Sequence, residues 1–304
     1  MAEFIALVDM GSNAVRCVLA TVIPNVGFQV VREERVQTRL GGGRPGRLPR
    51  SAVEDTLKAV RRFLKDVRKR YNPHVLAVAT SAVREATNRA GLLDVLKRDE
   101  GIEVRVLSGQ EEARLGTVAA LQSLSVRNGV IADLGGGSLQ LTRVQERDIV
   151  SVASLPLGAV RTTHNFLKHD PPTAQELLTL RKEVRSHISG VLPLARDGEE
   201  IVGMGGTIRA LASMYRAASL KERTSRQGLR IPRSALTVLR EQLEVLPTRD
   251  RHLPGLKSER ADVILAGAVV IEEVMTFCGY TILTVCTGGV GWGILLREAF
   301  NGNG

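Results

Sequence analysis

The stretch IADLGGGSLQL, residues 131–141, sets one acidic residue, three consecutive glycines and a serine between two short apolar runs. Short apolar runs on either side of a cluster of glycine and small polar residues are typical of two β-strands joined by a turn. We therefore predict a hairpin whose polar tip runs from Asp133 to Ser138.

A stretch of the same design lies near the amino terminus, where residues 8–20 read VDMGSNAVRCVLA. Its predicted tip begins at Asp9 and ends at Asn13. In both stretches an apolar strand ends in an aspartate, a glycine-containing turn follows, and a second strand begins. Because this unit occurs twice, the chain is predicted to consist of two related halves.

The rest of the pattern predicts an α/β fold in both halves. Apolar runs of strand length alternate with segments of helical periodicity, and the first half reads as three strands followed by alternating helices and strands. The second half follows the same plan from Gly129 onward. Because the repeat restarts after the polar stretch SLSVRN, we predict domains over 1–124 and 125–304, with a ligand in the cleft between them.

A basic helix is predicted over residues 51–70, with Ser51 as the N-cap and Glu54 as its partner in a capping box. Its apolar positions recur at helical spacing. The basic block RRFLKDVRKR, residues 61–70, is therefore interpreted as the solvated face of the helix rather than a dedicated binding site. The preceding segment, TRLGGGRPGRLPR, is too rich in glycine and proline to be regular. A second long helix is predicted over residues 258–277.

The composition indicates a soluble protein. Of the 304 residues, 43% are hydrophobic, which suffices for packed cores, and the longest apolar run, residues 263–271, is much shorter than a membrane span. The apolar start of the chain is interrupted at Asp9, so no secretory leader is predicted and we expect a cytoplasmic protein. The cysteines lack metal-binding spacing and are predicted to be buried, reduced thiols: Cys17, Cys278 and Cys286.

The formal net charge is +10 at pH 7, and the basic excess is spread over both halves. A field of this sign favours a polyanionic partner such as nucleic acid, a nucleotide or a chain of phosphates. Aromatic residues make up only 3% of the chain, so stacking on bases is poorly provided for. We therefore expect no specific nucleic-acid partner.

The two hairpin tips are predicted to bind phosphate. Glycine lets the backbone approach an anion closely, and serine or asparagine adds side-chain donors. The predicted phosphate-binding residues of the tips are Gly11, Ser12, Asn13, Gly135, Gly136, Gly137 and Ser138. The aspartate in each tip would repel phosphate unless a divalent cation lay between them, so Asp9 and Asp133 predict bound Mg²⁺.

A third glycine segment follows a short predicted strand and begins a helix. Backbone N–H groups at a helix N-terminus form an anion site, which makes Gly205, Gly206 and Thr207 further phosphate-binding candidates. The segment TGGVG, residues 287–291, has the same character.

Two adjacent carboxylates, Glu111 and Glu112, lie in the first turn of a helix predicted over residues 110–124. The helix dipole favours a carboxylate there, so capping explains one of them. The other is predicted to reach the cleft and to deprotonate a water that attacks a terminal phosphorus. Arginines beside the glycine-rich or small-residue segments are predicted to bind phosphate oxygens: Arg16, Arg84 and Arg260.

Six ordered blocks resemble the exopolyphosphatase and guanosine pentaphosphate phosphohydrolase family, within the actin, sugar-kinase and Hsp70 superfamily. They are VDMGSNAVRCVLA, ATSAVREATN, SGQEEARL, IADLGGGSLQL, GMGGTIRAL and ERADVILAG, and they extend over essentially the whole chain. The resemblance is to the short, two-domain members. It implies two ribonuclease H-like domains around a cleft, a requirement for Mg²⁺, and hydrolysis of the terminal phosphate of polyphosphate or of pppGpp.

The resemblance also implies roles for individual residues. The family's catalytic glutamate precedes an Ala-Arg pair and corresponds to Glu112, and its metal-binding aspartate corresponds to Asp133. The candidate metal ligands are thus Asp133, Asp9 and Glu112. The family's phosphate-contacting arginines correspond to the three arginines named above.

Two departures from the family pattern bear on activity. The family usually has GGGSTEL where this chain has GGGSLQL, so a carboxylate is replaced by the amide of Gln140. Because an amide does not balance a cation, we expect weaker metal binding. Residues 286–293, CTGGVGWG, lack the charged residues that the family commonly has there as SDGALREG.

Three hypotheses are open from the sequence. The first, which the retained Glu112 and Asp133 favour, is a Mg²⁺-dependent hydrolase with Gln140 as a third residue of its catalytic site. The second is a weakened member that binds polyphosphate or ppGpp as a sensor, and the third is a kinase or ATPase. The pattern does not separate polyphosphate from guanosine penta- or tetraphosphate as the partner, and we expect a homodimer.

Overall fold

The computed structural model describes residues 3–196, 198–219 and 224–301. Its strands are β1 Glu3–Met10, β2 Val15–Ile23, β3 Gly27–Val36, β4 His74–Ala79, β5 Val104–Val106, β6 Gly129–Leu134, β7 Leu139–Gln145, β8 Asp148–Leu155, β9 Glu200–Met204, β10 Arg230–Pro232 and β11 Ile282–Val285. Its α-helices are α1 Arg50–Tyr71, α2 Ser81–Glu85, α3 Ala90–Glu100, α4 Gly109–Ser123, α5 Ala159–Phe166, α6 Ala174–Ile188, α7 Gly206–Ser219, α8 Arg233–Glu244, α9 Ile264–Cys278 and α10 Val290–Asn301.

The chain divides into two compact units. Unit 1 comprises Met1–Val118 and Val290–Gly304, and unit 2 comprises Ala119–Gly289. This division differs from the predicted boundary after residue 124 in two respects. The chain passes from unit 1 to unit 2 inside α4, and α10 returns to unit 1, because apolar side chains of α10 such as Leu295 are buried in the core of that unit.

The sheet of unit 1 has five strands in the order β3-β2-β1-β4-β5. β1 is antiparallel to β2 and parallel to β4, so the first hairpin is formed as predicted. One face of the sheet packs on α1 and α3 through side chains that include Phe63 and Leu96. The other face packs on α10 and on Leu115 of α4. Burial of both faces is typical of parallel strands in α/β proteins.

The sheet of unit 2 repeats this topology. Its strands follow the order β8-β7-β6-β9-β11-β10, with β6 antiparallel to β7 and parallel to β9. The first five strands of this order correspond one by one to those of unit 1, and β10 is an addition. The internal repeat that the two hairpins predicted is therefore present at the level of the whole sheet.

The N-terminus of α1 differs from the prediction. The helix begins at Arg50, its N-cap is Pro49, and no side chain caps it, so the assignment of Ser51 as N-cap was wrong. The N-cap lies two residues earlier than predicted, because the backbone of Leu48 is held by the Asn88 side chain through hydrogen bonds of 2.9 and 3.0 Å. Glu54 accepts a hydrogen bond from Arg50 Nε instead of capping the helix.

The basic block of α1 has the predicted arrangement. Its apolar positions, such as Phe63 and Val67, are buried, and its arginines and lysines are exposed. Several of the arginines form ion pairs within unit 1, for example Arg61 with Asp99. The block is therefore the solvated face of a packed helix.

The helix predicted over residues 258–277 is interrupted. A 3-10 turn over Ser258–Arg260 precedes α9, which begins only at Ile264. Arg251 Nη1 donates a hydrogen bond of 2.7 Å to the carbonyl of Ala261, and this contact from outside the helix stabilises the turn. Arg260 consequently lies on the turn before α9 rather than in the interior of a helix.

The three cysteines are free and buried, as predicted. Burial raises the pKa of Cys17 to about 12 and that of Cys278 to about 11, so both thiols are protonated at neutral pH. In the part of the chain that the structure describes, no helix is long and apolar enough to cross a membrane.

Candidate functional site

The tips of the two hairpins have the same turn. In the β1–β2 tip the amide of Gly11 donates to the carbonyl of Ala14 at 3.1 Å. In the β6–β7 tip the amide of Gly135 donates to the carbonyl of Ser138 at 3.0 Å. The tip residues named in the sequence analysis therefore occupy two equivalent turns, one in each unit.

The strand register extends this equivalence to the residues beside the tips. Asp9 is paired across the strands with Arg16, and Asp133 is paired with Gln140. The two aspartates thus occupy one position of the repeat, and Arg16 and Gln140 occupy another. The equivalence of Arg16 and Gln140 depends on the register and is not visible in the sequence pattern.

The first tip is held from behind by the segment that connects β3 to α1. The amide of Gly41 donates to the carbonyl of Ser12 at 2.7 Å, and the amide of Arg39 donates to the carbonyl of Asn13 at 3.0 Å. A Cβ atom on residue 41 would lie only 2.9 Å from Ser12 Cβ, so glycine is required for this approach. With these carbonyls bound from behind, the first tip is fixed.

Two side chains of the first hairpin, those of Asn13 and Arg16, differ in their hydrogen-bond partners. The amide nitrogen Nδ2 of Asn13 is buried and has no hydrogen-bond partner among the described residues. Because a buried donor is costly when it is unpaired, Asn13 is suited to donate to an anion. Arg16 instead donates to both carboxylate oxygens of Glu33, at 2.7 and 3.0 Å.

Two further predicted residues of unit 1, Arg84 and Glu112, contact each other. Helix α2 follows β4 and carries Arg84, and α4 follows β5 and carries Glu112. Arg84 Nη1 donates to Glu112 Oε2 at 3.0 Å and to the carbonyl of Leu107 at 2.8 Å. Glu112 is only 7% exposed, so its carboxylate is held in a fixed position by the arginine.

The neighbouring carboxylate, Glu111, caps α4. The amide of Ser108 donates to Glu111 Oε2 at 2.8 Å, and the amide of Glu111 donates to Ser108 Oγ at 3.2 Å. This reciprocal pair is a capping box, and Arg105 adds an ion pair. Hydrogen bonds from Ser108, followed by Arg105, lower the pKa of Glu111 to about 2. Of the two adjacent glutamates, Glu111 is therefore the cap.

The second tip is held from behind by the start of α5. The amides of Ala159 and Val160 donate to the carbonyls of Gly135 and Gly136 at 3.0 and 2.8 Å. A Cβ atom on Gly158 would lie 2.3 Å from the carbonyl carbon of Gly137, so only glycine fits there. The first turn of α5 thus lies directly against the glycines of the tip.

Arg161 extends this support and was missed by the sequence analysis. Its Nε donates to the carbonyl of Gly137 at 2.7 Å. Since the carbonyls of all three tip glycines are bound to the start of α5, the tip is fixed in one conformation. Nothing in the sequence distinguished this arginine from the many on the surface.

Gln140 lies behind the second tip and is buried, with 2% of its surface exposed. Its Nε2 donates to Ser138 Oγ at 2.7 Å and to Ser154 Oγ at 3.3 Å. An amide nitrogen can make these bonds only as a donor, so both serine hydroxyls act as acceptors toward it. Gln140 therefore orients Ser138, a predicted phosphate-binding residue.

The third glycine segment contacts the second tip within unit 2. Gly205 has a φ of +94°, and a Cβ atom there would lie 2.3 Å from the carbonyl oxygen of Leu134 and 2.9 Å from Asp133 Oδ1. A Cβ atom on Gly206 would lie 2.1 Å from Nη2 of Arg260. Unit 2 therefore brings together the predicted residues Asp133, Gly205, Gly206 and Arg260. Thr207 follows them as a buried residue of α7.

A second arginine that the sequence analysis missed, Arg209, repeats a contact of Arg84. Arg84 donates to the carbonyl of Leu107, just after β5, and Arg209 donates to the carbonyl of Thr287, just after β11, at 3.3 Å. Gln227 also fixes this segment, because its Oε1 accepts from the amide and hydroxyl of Thr287 at 2.7 and 2.8 Å. Aligning TSAVRE, residues 80–85, with GGTIRA, residues 205–210, would have indicated Arg209.

The residues at the tips provide oxygen donors for a metal ion. Among the described residues, no three His, Cys, Asp or Glu side chains form a group able to hold one. Mg²⁺ often takes only one or two carboxylates and completes its coordination with phosphate and water oxygens. Asp9 and Asp133, each at the carboxyl end of a central strand, fit this use. Glu112 fits it less well because Arg84 binds its carboxylate.

The chain thus has two related α/β units, each with a glycine-containing turn and an aspartate at the carboxyl edge of its sheet, the edge at which α/β proteins bind their ligands. The model of the Ppx/GppA phosphatase family matches residues 19–301. The chain belongs to the Ppx/GppA phosphatase family, as the resemblance of its six blocks predicted.

Relatives and solved structures agree with this assignment. The chain is 32% identical over 288 residues to Exopolyphosphatase 2 of Mycobacterium tuberculosis, covering 88% of this chain and 89% of that protein. It is 30% identical to Exopolyphosphatase 1 of Mycobacterium leprae, covering 97% of this chain and 89% of that protein. A solved Ppx/GppA family member from Aquifex aeolicus is 27% identical, with a TM-score of 0.83 and 100% of both chains covered.

The predicted fold class is confirmed as an α/β protein of two units with related sheets, the fold of the solved Ppx/GppA family member. A solved exopolyphosphatase from Cytophaga hutchinsonii has the same fold, with a TM-score of 0.87, 24% identity and 98% of each chain covered. The protein is a hydrolase of the exopolyphosphatase family.

Proposed function

We propose that the protein removes the terminal phosphate of inorganic polyphosphate in a Mg²⁺-dependent reaction, and that pppGpp is a second substrate of the same chemistry. One observation carries the proposal. Glu111 caps α4, so the adjacent, buried Glu112 is left for another role, and Arg84 holds it at 3.0 Å. The names of the two mycobacterial relatives agree with polyphosphate as the substrate.

In the proposed reaction a water molecule attacks the terminal phosphorus. Glu112 accepts a proton from this water, a P–O bond to the water oxygen forms, and the P–O bond to the rest of the chain breaks. The shortened chain leaves with the bridging oxygen and its negative charge. Bound Mg²⁺ would supply positive charge that neutralises the phosphate oxygens.

The remaining candidates have binding roles in this proposal. The backbone N–H groups of the two tips and the buried amide of Asn13 donate to phosphate oxygens. Arg84 and Arg260 add guanidinium groups, and Asp9 and Asp133 would hold the metal. Arg16 joins them when it exchanges Glu33 for phosphate, because both partners suit its two parallel donors.

The two adjacent glutamates provide the test. Replacing Glu112→Gln is expected to lower kcat for phosphate release about 10²- to 10⁴-fold, the usual contribution of a general base. Replacing Glu111→Gln is the matched control, because it changes the neighbouring carboxylate in the same way. The control is expected to keep its kcat, and its capping hydrogen bond as well, since glutamine also serves in a capping box. It is expected to lose up to about 1 kcal/mol of unfolding free energy with the charge that faces the helix N-terminus and Arg105.

The pH dependence separates the two variants further. The pKa of Glu111 is lowered from 4.5 to about 2 in the folded protein. Its contribution to stability is therefore complete above about pH 4.5 and is lost as the pH falls toward 2.

A Glu112→Gln variant with unchanged phosphate release would refute the assignment of the base.

Gln140 favours a second candidate function, a sensor that binds polyphosphate or ppGpp with little turnover. Its amide, bound to Ser138 and Ser154, occupies the position where the family usually has a carboxylate. Tight binding of polyphosphate by the parent protein, without phosphate release at any Mg²⁺ concentration, would favour the sensor over the hydrolase.

A further inference from the structure

The segment between β3 and α1 carries a concentrated positive charge. From residue 36 to residue 53 the sequence contains arginines at 39, 44, 47 and 50 and no aspartate or glutamate. Arg50 is paired with Glu54 of α1. The other three side chains are exposed and lie on residues 38–49, which we call the basic loop.

The charge of the basic loop is not balanced as it is elsewhere in unit 1. On α1, Arg61 is paired with Asp99 at 2.6 Å, and Arg62 is paired with Glu34 at 2.9 Å. In the part of the chain that the structure describes, the side chains of Arg44 and Arg47 form no ion pair. Two exposed guanidinium groups that form no ion pair attract an anion.

The basic loop is attached to elements of the candidate site at two places. At its start it donates two backbone hydrogen bonds to the first tip, from Gly41 and Arg39, as described above. Near its end, the amide of Thr87 donates to the carbonyl of Gly46 at 2.9 Å. Thr87 follows α2, the helix that carries Arg84. The loop therefore connects the first phosphate tip to the region of Arg84.

Close packing fixes the conformation of the basic loop. A Cβ atom on Gly43 would lie 2.8 Å from Cγ of Pro49, and Arg39 has a φ of +55°. The Asn88 side chain holds Leu48 through two hydrogen bonds. A fixed loop loses little conformational entropy when a ligand binds, so its arginines are preorganised for binding.

Two buried donors lie where the loop meets the tip. The hydroxyl of Thr38, a residue that is 4% exposed, has no hydrogen-bond partner among the described residues. The same holds for Nδ2 of Asn13. Buried polar groups are nearly always paired, and an exception needs an explanation such as a ligand. An anion bound at this junction would supply the missing acceptors.

We propose that the basic loop is a second phosphate-binding site, which takes phosphate groups of a linear polyphosphate chain beyond the one that is cleaved. Arg44 and Arg47 bind these groups, and the contacts with Ser12 and Asn13 place the loop beside the first tip. The identity of the chain rests on the proposed function, whereas the presence of an anion site in the loop does not.

The composition of the loop distinguishes between two sources of phosphate. Residues 37–62 contain no Phe, Tyr or Trp, so a guanine base has no aromatic side chain of this segment to stack on. Guanidinium groups and backbone amides are sufficient for a ligand made of phosphates alone. The loop therefore favours linear polyphosphate over a guanosine polyphosphate.

The test removes both free arginines of the loop, in the variant Arg44→Gln/Arg47→Gln. Because both side chains are exposed, the urea midpoint is expected to match that of the parent. The matched control is Lys65→Gln/Lys69→Gln, which removes the same charge from the exposed face of α1. Binding of long-chain polyphosphate and of tripolyphosphate is measured in the Glu112→Gln background, where the ligand stays intact.

The loop variant is expected to bind long-chain polyphosphate about three- to tenfold more weakly, as the loss of two exposed charge contacts predicts. Its affinity for tripolyphosphate and the affinities of the control are expected to match those of the parent. With active protein, KM for the long chain rises and kcat is unchanged.

Three outcomes would overturn the proposal. They are parent-like affinity of the loop variant for the long chain, an equal loss in the control, and an equal loss for tripolyphosphate. A loss for pppGpp as large as that for the long chain would overturn the choice of ligand. Absence of phosphate release by the parent would refute the proposed function alone, because the binding comparison still decides the role of the loop.

Discussion

The tip of the β1–β2 hairpin and the tip of the β6–β7 hairpin close with the same turn hydrogen bond, but different parts of the chain hold them in place. Behind the first lies the basic loop, which donates two backbone hydrogen bonds to Ser12 and Asn13. Behind the second lies the start of α5, where Gly158 touches the tip backbone and Arg161 binds Gly137.

This difference has chemical consequences. The first tip keeps a buried, unpaired amide donor at Asn13 and gains exposed arginines beside it. The second tip has the carbonyls of its three glycines bound, and the buried Gln140 stands where the first hairpin has Arg16. The turn is the same in both halves of the repeat. The segments behind it, the basic loop and the start of α5, determine how much charge lies near each tip and how rigidly the tip is held.

The largest effect on stability is expected at the two glycines that pack behind the tips, Gly158 and Gly41. Replacing Gly158→Ala places a Cβ atom 2.3 Å from backbone atoms of Gly137 and Ser138. A loss of about 3 kcal/mol in unfolding free energy is expected, at the upper end of overpacking costs. Gly41→Ala meets the Cβ of Ser12 at 2.9 Å and is expected to cost about 1 kcal/mol.

Urea unfolding of both variants measures this difference between the tips. Gly190→Ala is the control, because no atom lies within 4 Å of a Cβ there. Equal losses for Gly158→Ala and Gly41→Ala would show that the segments behind the two tips pack equally tightly. That result would contradict the difference described here between α5 and the basic loop.

Arg161 provides the second expected effect. Replacing Arg161→Ala leaves the carbonyl of Gly137 without its guanidinium donor and is expected to reduce kcat/KM by about 1.5–3 kcal/mol in transition-state free energy. Because Arg161 acts through the tip, Arg161→Lys should recover part of the loss. Steady-state phosphate release measures both.

The control for Arg161 is Arg147→Ala. Arg147 also donates to backbone carbonyls of unit 2, those of Val126 and Leu121, but none of them belongs to a tip. The control is expected to lose stability and to keep its KM. If Arg161→Ala lowered stability alone, with normal kinetics, its role in positioning the tip would be wrong.

Gln140 provides the third expected effect. Replacing Gln140→Glu places a carboxylate directly across the strands from Asp133, and such a like-charge pair costs about 1 kcal/mol, to which the burial of the new charge adds. Mg²⁺ is expected to reverse this loss and to raise turnover, because the new carboxylate helps to balance the cation. Thermal unfolding with EDTA and with Mg²⁺, together with phosphate release, measures the change.

The matched control is Gln145→Glu on the same strand, which also faces an aspartate, Asp148. It lies away from the tip, so Mg²⁺ should not restore its stability. A Gln140→Glu variant that is no faster than the parent in saturating Mg²⁺ would contradict the view that this position limits turnover.

Local patterns were sufficient to predict both hairpins and both tips. An apolar run, an aspartate and glycines at fixed spacing are local signals, and hairpins form between neighbouring segments. The N-cap of α1 was not predicted correctly, because a side chain remote in sequence, Asn88, decides where that helix begins. The start of α9 depends in the same way on Arg251.

Some residues of the candidate site were predicted and others were not, because part of the site also depends on contacts between segments that are distant in sequence. The helix dipole alone did not tell which of Glu111 and Glu112 is the cap, and only the resemblance pointed to Glu112 as the base. The hydrogen bonds of Ser108 identify Glu111 as the cap. Arg161 was missed because its hydrogen bond is to a backbone carbonyl, which leaves no residue-type signal in the sequence. Arg209 was missed because the two halves were not aligned around Arg84.

The sequence by itself determined the α/β class, the repeat, the turns and the family, because each depends on residues that are near one another in the chain. Only the tertiary structure decided what stands behind each turn. The equivalence of Arg16 with Gln140 depends on strand register, and the contacts of the basic loop and of α5 join segments that are distant in sequence. Such contacts arise from packing, and packing is fixed only when the whole domain has folded.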